Sequence, residues 1–282
     1  MNVAALNPDP RRSELAGFLR SRRAELTTER AGLPTTPRRR TPGLRREEVA
    51  ELAHISVALY TWLEQGRDVP VSAKTIDNIA TALQLDAGER TNVHLLARGE
   101  DADVDGELSP ALRRWVTNAR STAIFVLDHA WNVVLRSTPA IAVFGGHPDP
   151  EHRENLLEAF FGDARIHELF ADWAAVSESL AELFRLDFAR HAGDPEVQAL
   201  VERLRAASPP FAKAWERYRV RAFLSAVREV RHPIAGTLLL EPTTYAVLES
   251  PGLRLLMYTS YDDETRTRIT ELAANLRAAT QA

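Results

Sequence analysis

Apolar positions along the chain recur first at helical spacing, then alternate as in strands, and then return to helical spacing. Residues 13–26 carry Leu15, Phe18, Leu19, Arg22 and Leu26 near a 3.6-residue period, which predicts a first helix. Residues 47–53 repeat the pattern with Val49, Ala50, Leu52 and Ala53. His54-Ile55-Ser56 reads as a tight turn, and residues 57–65 form a further helix with Ser56 as its N-cap. At 100° per residue Leu59, Tyr60 and Leu63 share one face of that helix, and Val57, Ala58, Thr61 and Trp62 share the other. Asp68-Val69-Pro70 breaks the chain. Ser72 then caps a helix reaching Leu83, with Ile76, Ile79, Ala80 and Leu83 inward. Asp86 caps a fifth helix, 87–98, with Val93, Leu96 and Ala97 inward.

Beyond a polar stretch, the period changes. Residues 122–127 and 132–135 read as strands joined at Asp128-His129-Ala130, and a short helix over 139–144 stops at Gly145-Gly146. Residues 151–217 are helical with breaks at Gly162, Gly193-Asp194-Pro195 and Ser208-Pro209-Pro210. Four strands are predicted over 220–230, 236–240, 245–248 and 254–259. Turns at His232-Pro233, Glu241-Pro242 and Pro251-Gly252 separate them, and a helix over 263–279 closes the chain. Periodicity by itself therefore gives an all-helical part followed by an α+β part.

The 282 residues are enough for two domains with cores of their own. The absence of cysteine removes disulfides, thiolate zinc sites and cysteine nucleophiles. No apolar run approaches the ~18 residues of a membrane span, and the N-terminus lacks a signal pattern, so a cytoplasmic protein without membrane contact is expected. Net charge is −4, but residues 1–46 hold 11 Arg against four Asp and Glu, a local +7 that leaves −11 for the rest. Such a chain suits contact with phosphate through one domain only. Residues 27–44, with Pro34, Pro37, Arg38-Arg39-Arg40 and Pro42-Gly43, form a loop, and its three arginines point to phosphate or minor-groove contact. Residues 99–108 read as an acidic linker whose DADVDGE run lacks the frame of a calcium loop, so no metal site is expected.

The uncharged face of the 57–65 helix suits a DNA major groove, offering small residues for close approach, apolar atoms for thymine methyls and one large shape probe. Two packed helices without nucleic acid are the plainer alternative. The stretches RRRTPGLRREEVAELA (38–53) and LYTWLEQGR (59–67) resemble the phage-repressor-like, xenobiotic-response-element helix-turn-helix regulators. With NLLEAFF, SPPFAKAWERYRV and HPIAGTLLL further on, the chain resembles the actinobacterial branch that carries a MmyB-like ligand-binding domain. The resemblance implies two domains: a five-helix all-α repressor-like head over 1–98, then, after the 99–108 linker, an α+β Per-Arnt-Sim-like domain with a helical insert over 109–282. It implies that Val57, Ala58, Thr61 and Trp62 face bases, while Arg46 and Ser56 clamp phosphates and Arg45 and Arg67 extend the clamp. It also implies that an arginine of the first helix pairs with Glu64, with Arg20 ahead of Arg22 and Arg23. His54 occupies a turn position where φ is positive and glycine is preferred.

No catalytic constellation is present: G-x-S-x-G, a Gly-rich phosphate loop, H-E-x-x-H and a Rossmann fingerprint are all missing. His147, His152, His167, His191 and His232 are scattered without ligand spacing, and His232-Pro233 suggests a structural hydrogen bond. A curved sheet under a helical insert commonly leaves an apolar cavity, and the resemblance implies a fatty-acid-like ligand there. Inward candidates are Phe125, Leu127, Val133, Leu135, Trp173, Phe223, Leu238, Leu240, Tyr245, Leu256 and Tyr258, with Arg221 or Arg228 to hold a carboxylate. The chain departs from the family at Leu135-Arg136-Ser137, where Asn usually follows the second strand. The expected function is that of a DNA-binding, non-enzymatic transcription regulator that acts as a homodimer, because two-fold proteins read paired half-sites. The alternative is a regulator whose C-terminal domain only dimerises or binds protein, with no metabolite.

Overall fold

A computed structural model describes residues 9–34, 43–98, 106–146, 154–220 and 226–281. They form two compact units. One draws on the described residues of Met1–Asp101, Ala181–Gln198 and Lys213–Ala222; the other draws on those of Ala102–Leu180, Ala199–Ala212 and Phe223–Ala282.

In the first unit, helix α1 spans Pro10–Glu25. It starts three residues before the expected position because Asp9 caps it, accepting from the Arg11 N–H at 3.0 Å, and Pro10 fills the first turn, where no N–H is needed. Helices α2 (Arg46–Leu52) and α3 (Val57–Glu64) flank the expected turn. His54 takes φ 55° there. Helices α4 (Ala73–Ala82) and α5 (Ala87–Arg98) follow, opened by Ser72 and Asp86 as their sequences predict. Phe18, Leu19, Val49, Tyr60, Ile79 and Val93 are buried together in this core, joined by Ala189 and Val220 from later in the chain. Val220 therefore packs here, although the strand pattern assigned it to a sheet.

This unit also holds a charged clamp on α1. The Arg185 guanidinium pairs with Glu14, donates to the Trp215 carbonyl and lies 3.9 Å from the Trp215 ring centroid and 4.7 Å from that of Tyr218. Both charged residues are buried. Gly17 of α1 leaves room for Tyr218: a Cβ there would come within 2.3 Å of its ring.

The second unit is built on a five-stranded sheet. Its strands are β1 (Ala123–Leu127), β2 (Val133–Arg136), β3 (Arg228–His232), β4 (Gly236–Ala246) and β5 (Arg254–Ser260), in the order β2-β1-β5-β4-β3. Every pairing is antiparallel. The predicted turn at Glu241-Pro242 does not form; one eleven-residue strand runs through it. Among the described residues β3 pairs with β4 only as far as Leu240, so Pro242 lies where that side of β4 is an open edge and a missing N–H costs no ladder bond.

Helix α6 (Pro110–Thr117), opened by Ser109, is not among the predicted elements, although Leu112, Trp115 and Val116 recur at helical spacing. It closes one face of the sheet through Val116, which packs with Ile124, Val126, Leu135, Leu253 and Leu255. The last residues of the expected linker are not merely solvated: the Glu107 carbonyl accepts from Ser250 Oγ at 2.8 Å, and Leu108 joins the same cluster.

Helices α7 (Thr138–Phe144), α8 (Leu156–Gly162) and α9 (Ala164–Leu169) follow the first hairpin. Helix α10 (Trp173–His191) starts in this unit and runs into the first; α11 (Pro195–Ala207) and α12 (Pro209–Glu216) also change unit along their length. The breaks at Gly162, 193–195 and 208–210 fall as expected. Helix α13 (Asp263–Gln281) ends the chain. Among the described residues, no helix is long and apolar enough to cross a membrane.

Candidate functional site

Helix α3 is held from behind and open in front. Ser56 accepts from the Leu59 N–H at 3.1 Å and starts it; Tyr60 and Leu63 are buried, and Leu59 is half-buried. On the other side Val57 and Trp62 are 41% and 40% exposed, Ala58 is exposed and Thr61 half-buried. An apolar helix face left open to this degree is unusual for a surface with nothing to bind.

Glu64 anchors the end of α3. Its buried carboxylate receives Arg23 Nε at 2.5 Å and Nη2 at 3.1 Å, and Arg46 Nε at 2.6 Å. The first-helix partner is thus Arg23, not Arg20. Arg20 donates instead to the Glu64 carbonyl, and Arg22 pairs with Glu89 at 2.8 Å. Arg23, three residues along the same face of α1 as Arg20, also donates its Nη1 to the Leu44 carbonyl at 2.9 Å, and that further bond holds its guanidinium at the carboxylate. Burial works against the charge of Arg23, but the hydrogen bond and charge of Glu64 prevail and raise its pKa. Burial, then the Glu64 charge, push Tyr60 upward, so it stays protonated.

Of the expected phosphate clamp, Arg45, Ser56 and Arg67 are exposed near the ends of α2 and α3. Arg46 is 42% exposed with its Nε committed to Glu64. Arg38, Arg39 and Arg40 lie outside the described residues.

A cavity of about 590 Å³ lies between the sheet and helices α7–α10 of the second unit. Phe125, Leu256 and Tyr258 line it, as their positions on β1 and β5 predict. The other described candidates do not. Leu135 faces the opposite side: the pairing Phe125–Arg136 puts Arg136, not Leu135, on the face of Phe125. A bulge between Val126 and Leu127 shifts the register, and no pattern of apolar residues announces it. Leu127, Val133, Leu238 and Leu240 are buried elsewhere in the sheet. Trp173 stacks on Phe160 at 5.9 Å and sits behind the lining. Tyr245 is 55% exposed at the far end of β4, and Arg228 donates to Ser179 at 3.3 Å. Arg221 and Phe223 lie outside the described residues.

The lining also recruits groups that the periodicity did not single out. Phe144, Phe170 and Leu180 supply apolar wall. Arg136, 8% exposed, pairs with Glu154 at 2.7 Å. Gly146, at φ 100°, makes space for it: a Cβ there would fall 1.6 Å from Arg136 Nη1. The Gly145-Gly146 pair closing α7 was the available signal, since two adjacent glycines after a short helix mark a close approach. His232 has the structural role expected of it and also lines the cavity. Its Nδ1 accepts from the N–H groups of Ile234 (3.2 Å) and Ala235 (3.0 Å), and its Nε2 donates to the Ala142 carbonyl at 3.1 Å. Burial lowers its pKa, and these bonds define one neutral tautomer.

A Helix-turn-helix domain model matches residues 14–93, and the model of the MmyB-like transcription regulator ligand binding domain matches 108–272. Both describe regulatory domains. No curated protein is significantly similar to the chain. The second match covers more than half of the sequence. The chain belongs to the MmyB-like transcription regulator family, as a DNA-binding transcription regulator that joins a helix-turn-helix head to a ligand-binding domain.

Proposed function

We propose that the protein is a one-component regulator that reads a specific duplex with α3 and is controlled by a small apolar, fatty-acid-like molecule in its cavity. Val57, Ala58, Thr61 and Trp62 meet base edges, while Arg45, Arg46, Ser56 and Arg67, with Arg38–Arg40, hold phosphates. The observation that carries this reading is the open apolar face of α3 set among exposed arginines. The head corresponds to 1–98, buttressed by Ala181–Gln198 and Lys213–Ala222; the linker is 99–108, and 109–282 is the Per-Arnt-Sim-like sensor. The protein acts in the cytoplasm as a homodimer on two half-sites about one DNA turn apart.

The cavity supports a ligand-controlled domain over one that serves dimerisation or protein binding alone, since a filled core would have no volume of this size. Two measurements test the proposal. Selection from a randomised duplex pool should enrich a paired half-site, and a pool that stays random would refute sequence-specific reading. Mass spectrometry of solvent extracts of the full-length protein should find a stoichiometric apolar molecule. A full-length extract identical to that of a 1–98 control would return the domain to dimerisation.

A further inference from the structure

On the reading that the cavity binds a small apolar molecule, its occupancy has to reach α3 to control DNA binding. Helix α10 begins at the cavity wall, where Leu180 is part of the lining. One and two turns further along the same face, Phe184 and Phe188 lie against the Trp215 ring at 5.7 and 5.3 Å between centroids. Arg185 lies over that ring and pairs with Glu14 of α1. Helix α12 has a similar course. Phe211 meets Phe161 edge-on at 5.2 Å, and Phe161 meets the lining residue Phe160 at 5.1 Å. Four residues on, the Trp215 carbonyl accepts from Arg185. Just beyond the helix, the Arg217 carbonyl accepts from Ser21 Oγ at 3.0 Å and Arg22 Nη2 at 3.2 Å, and Tyr218 fills the gap that Gly17 leaves in α1.

Helix α1 in turn holds α3. Arg20 donates to the Glu64 carbonyl, and Arg23 donates to its carboxylate at 2.5 Å. So α1 is gripped at Glu14, Gly17, Ser21 and Arg22, and grips α3 with Arg20 and Arg23. Leu180 and Arg185 are five residues apart on one helix, about 7.5 Å of rise. Close-packed helices are hard to compress and shift as rigid elements, so a displacement of the wall at Leu180 is felt at Arg185.

We propose that α10 and α12 are the coupling element of the regulator. A molecule seated against Leu180 and Phe160 shifts their grip on α1, through the Arg185–Glu14 pair and the Tyr218–Gly17 contact, and so changes how α1 sets α3 for duplex DNA.

Fluorescence anisotropy of the selected duplex on the full-length protein, with and without saturating decanoate, tests this. Calorimetry measures decanoate with and without the duplex. In wild type, decanoate should change duplex affinity at least about fivefold, and the duplex should change decanoate affinity by the same factor. Two variants loosen the grip and leave the cavity lining and the open face of α3 untouched. Glu14→Met with Arg185→Met removes both charges together, and Gly17→Ala displaces the movable end of the Tyr218 side chain. Each should bind decanoate and duplex separately, with the coupling factor reduced to less than about twofold. Hydrogen exchange of wild type is a readout that needs no variant: decanoate should alter amide protection in α1 and leave α4 unchanged. Variants that keep the whole wild-type factor, or an α1 whose protection does not respond, would overturn this route and leave a ligand-controlled regulator standing. Decanoate that binds without changing duplex affinity would overturn the coupling itself. Failure of decanoate to bind would refute the apolar-ligand reading, and this inference with it.

Discussion

Trp62 is large, apolar and open to solvent on a helix whose other side buries Tyr60 and Leu63. On the proposed role, Trp62→Ala weakens binding to the selected duplex by ~1–3 kcal/mol and changes base preference at one position. Fluorescence anisotropy on selected and scrambled duplexes checks this; equal weakening on both would make Trp62 a non-specific contact. His232 gives a pH prediction. Burial holds its pKa below the ordinary value, so the unfolded chain binds the proton more readily than the folded one. The stability that neutral His232 contributes is complete above about pH 6.5 and is lost as pH falls below that toward the folded value. Wild type should lose more melting temperature between about pH 7.5 and pH 5 than His232→Gln. Equal losses would detach His232 from the acid response. At this scale the head residues were legible because helix α3 needs only its own period to sort Tyr60 and Leu63 from Val57 and Trp62. Of the cavity residues, Phe125, Leu256 and Tyr258 were legible too, but Arg136 was not, since it looks like an ordinary surface arginine until its strand has a partner.

Among the elements, α1 is gripped at both ends of the first unit's charge network. Arg23 holds Glu64 of α3, and Glu14 is held by Arg185 of α10. Both members of the second pair are buried, so removing one leaves the other charged and uncompensated. Arg185→Met alone should destabilise the protein by ~3–5 kcal/mol, and Glu14→Met with Arg185→Met by clearly less. Urea denaturation of the full-length proteins measures this, and a double variant as unstable as the sum of both singles would mean that the pair is not coupled. Helices with strong caps were readable in advance: Ser56, Ser72 and Asp86 each open a helix where their side chains meet orphan N–H groups. Helix α6 and the unbroken β4 were not. One is a segment of about two turns beside the polar linker, and the other carries a proline that is harmless because, among the described residues, its neighbouring strand stops short.

For the whole molecule, charge is divided along the chain, with +7 in residues 1–46 against −11 in the remainder. Binding to any duplex should therefore weaken steeply with salt, and Arg67→Ala should reduce the slope of log K against log salt by about 1 without changing base preference. An unchanged slope would remove Arg67 from the phosphate contacts. By itself the sequence determined the two-part order, the helix-turn-helix and the open face of its second helix, because these depend on local period, capping and the chemistry of neighbouring residues. The tertiary structure alone decided which arginine holds Glu64, that Arg136 faces the cavity while Leu135 turns away, and that residues near 185 and 215 pack with the head's first helix. Each of these depends on strand register or on contacts between residues far apart in the chain, and neither leaves a periodic trace in one sequence.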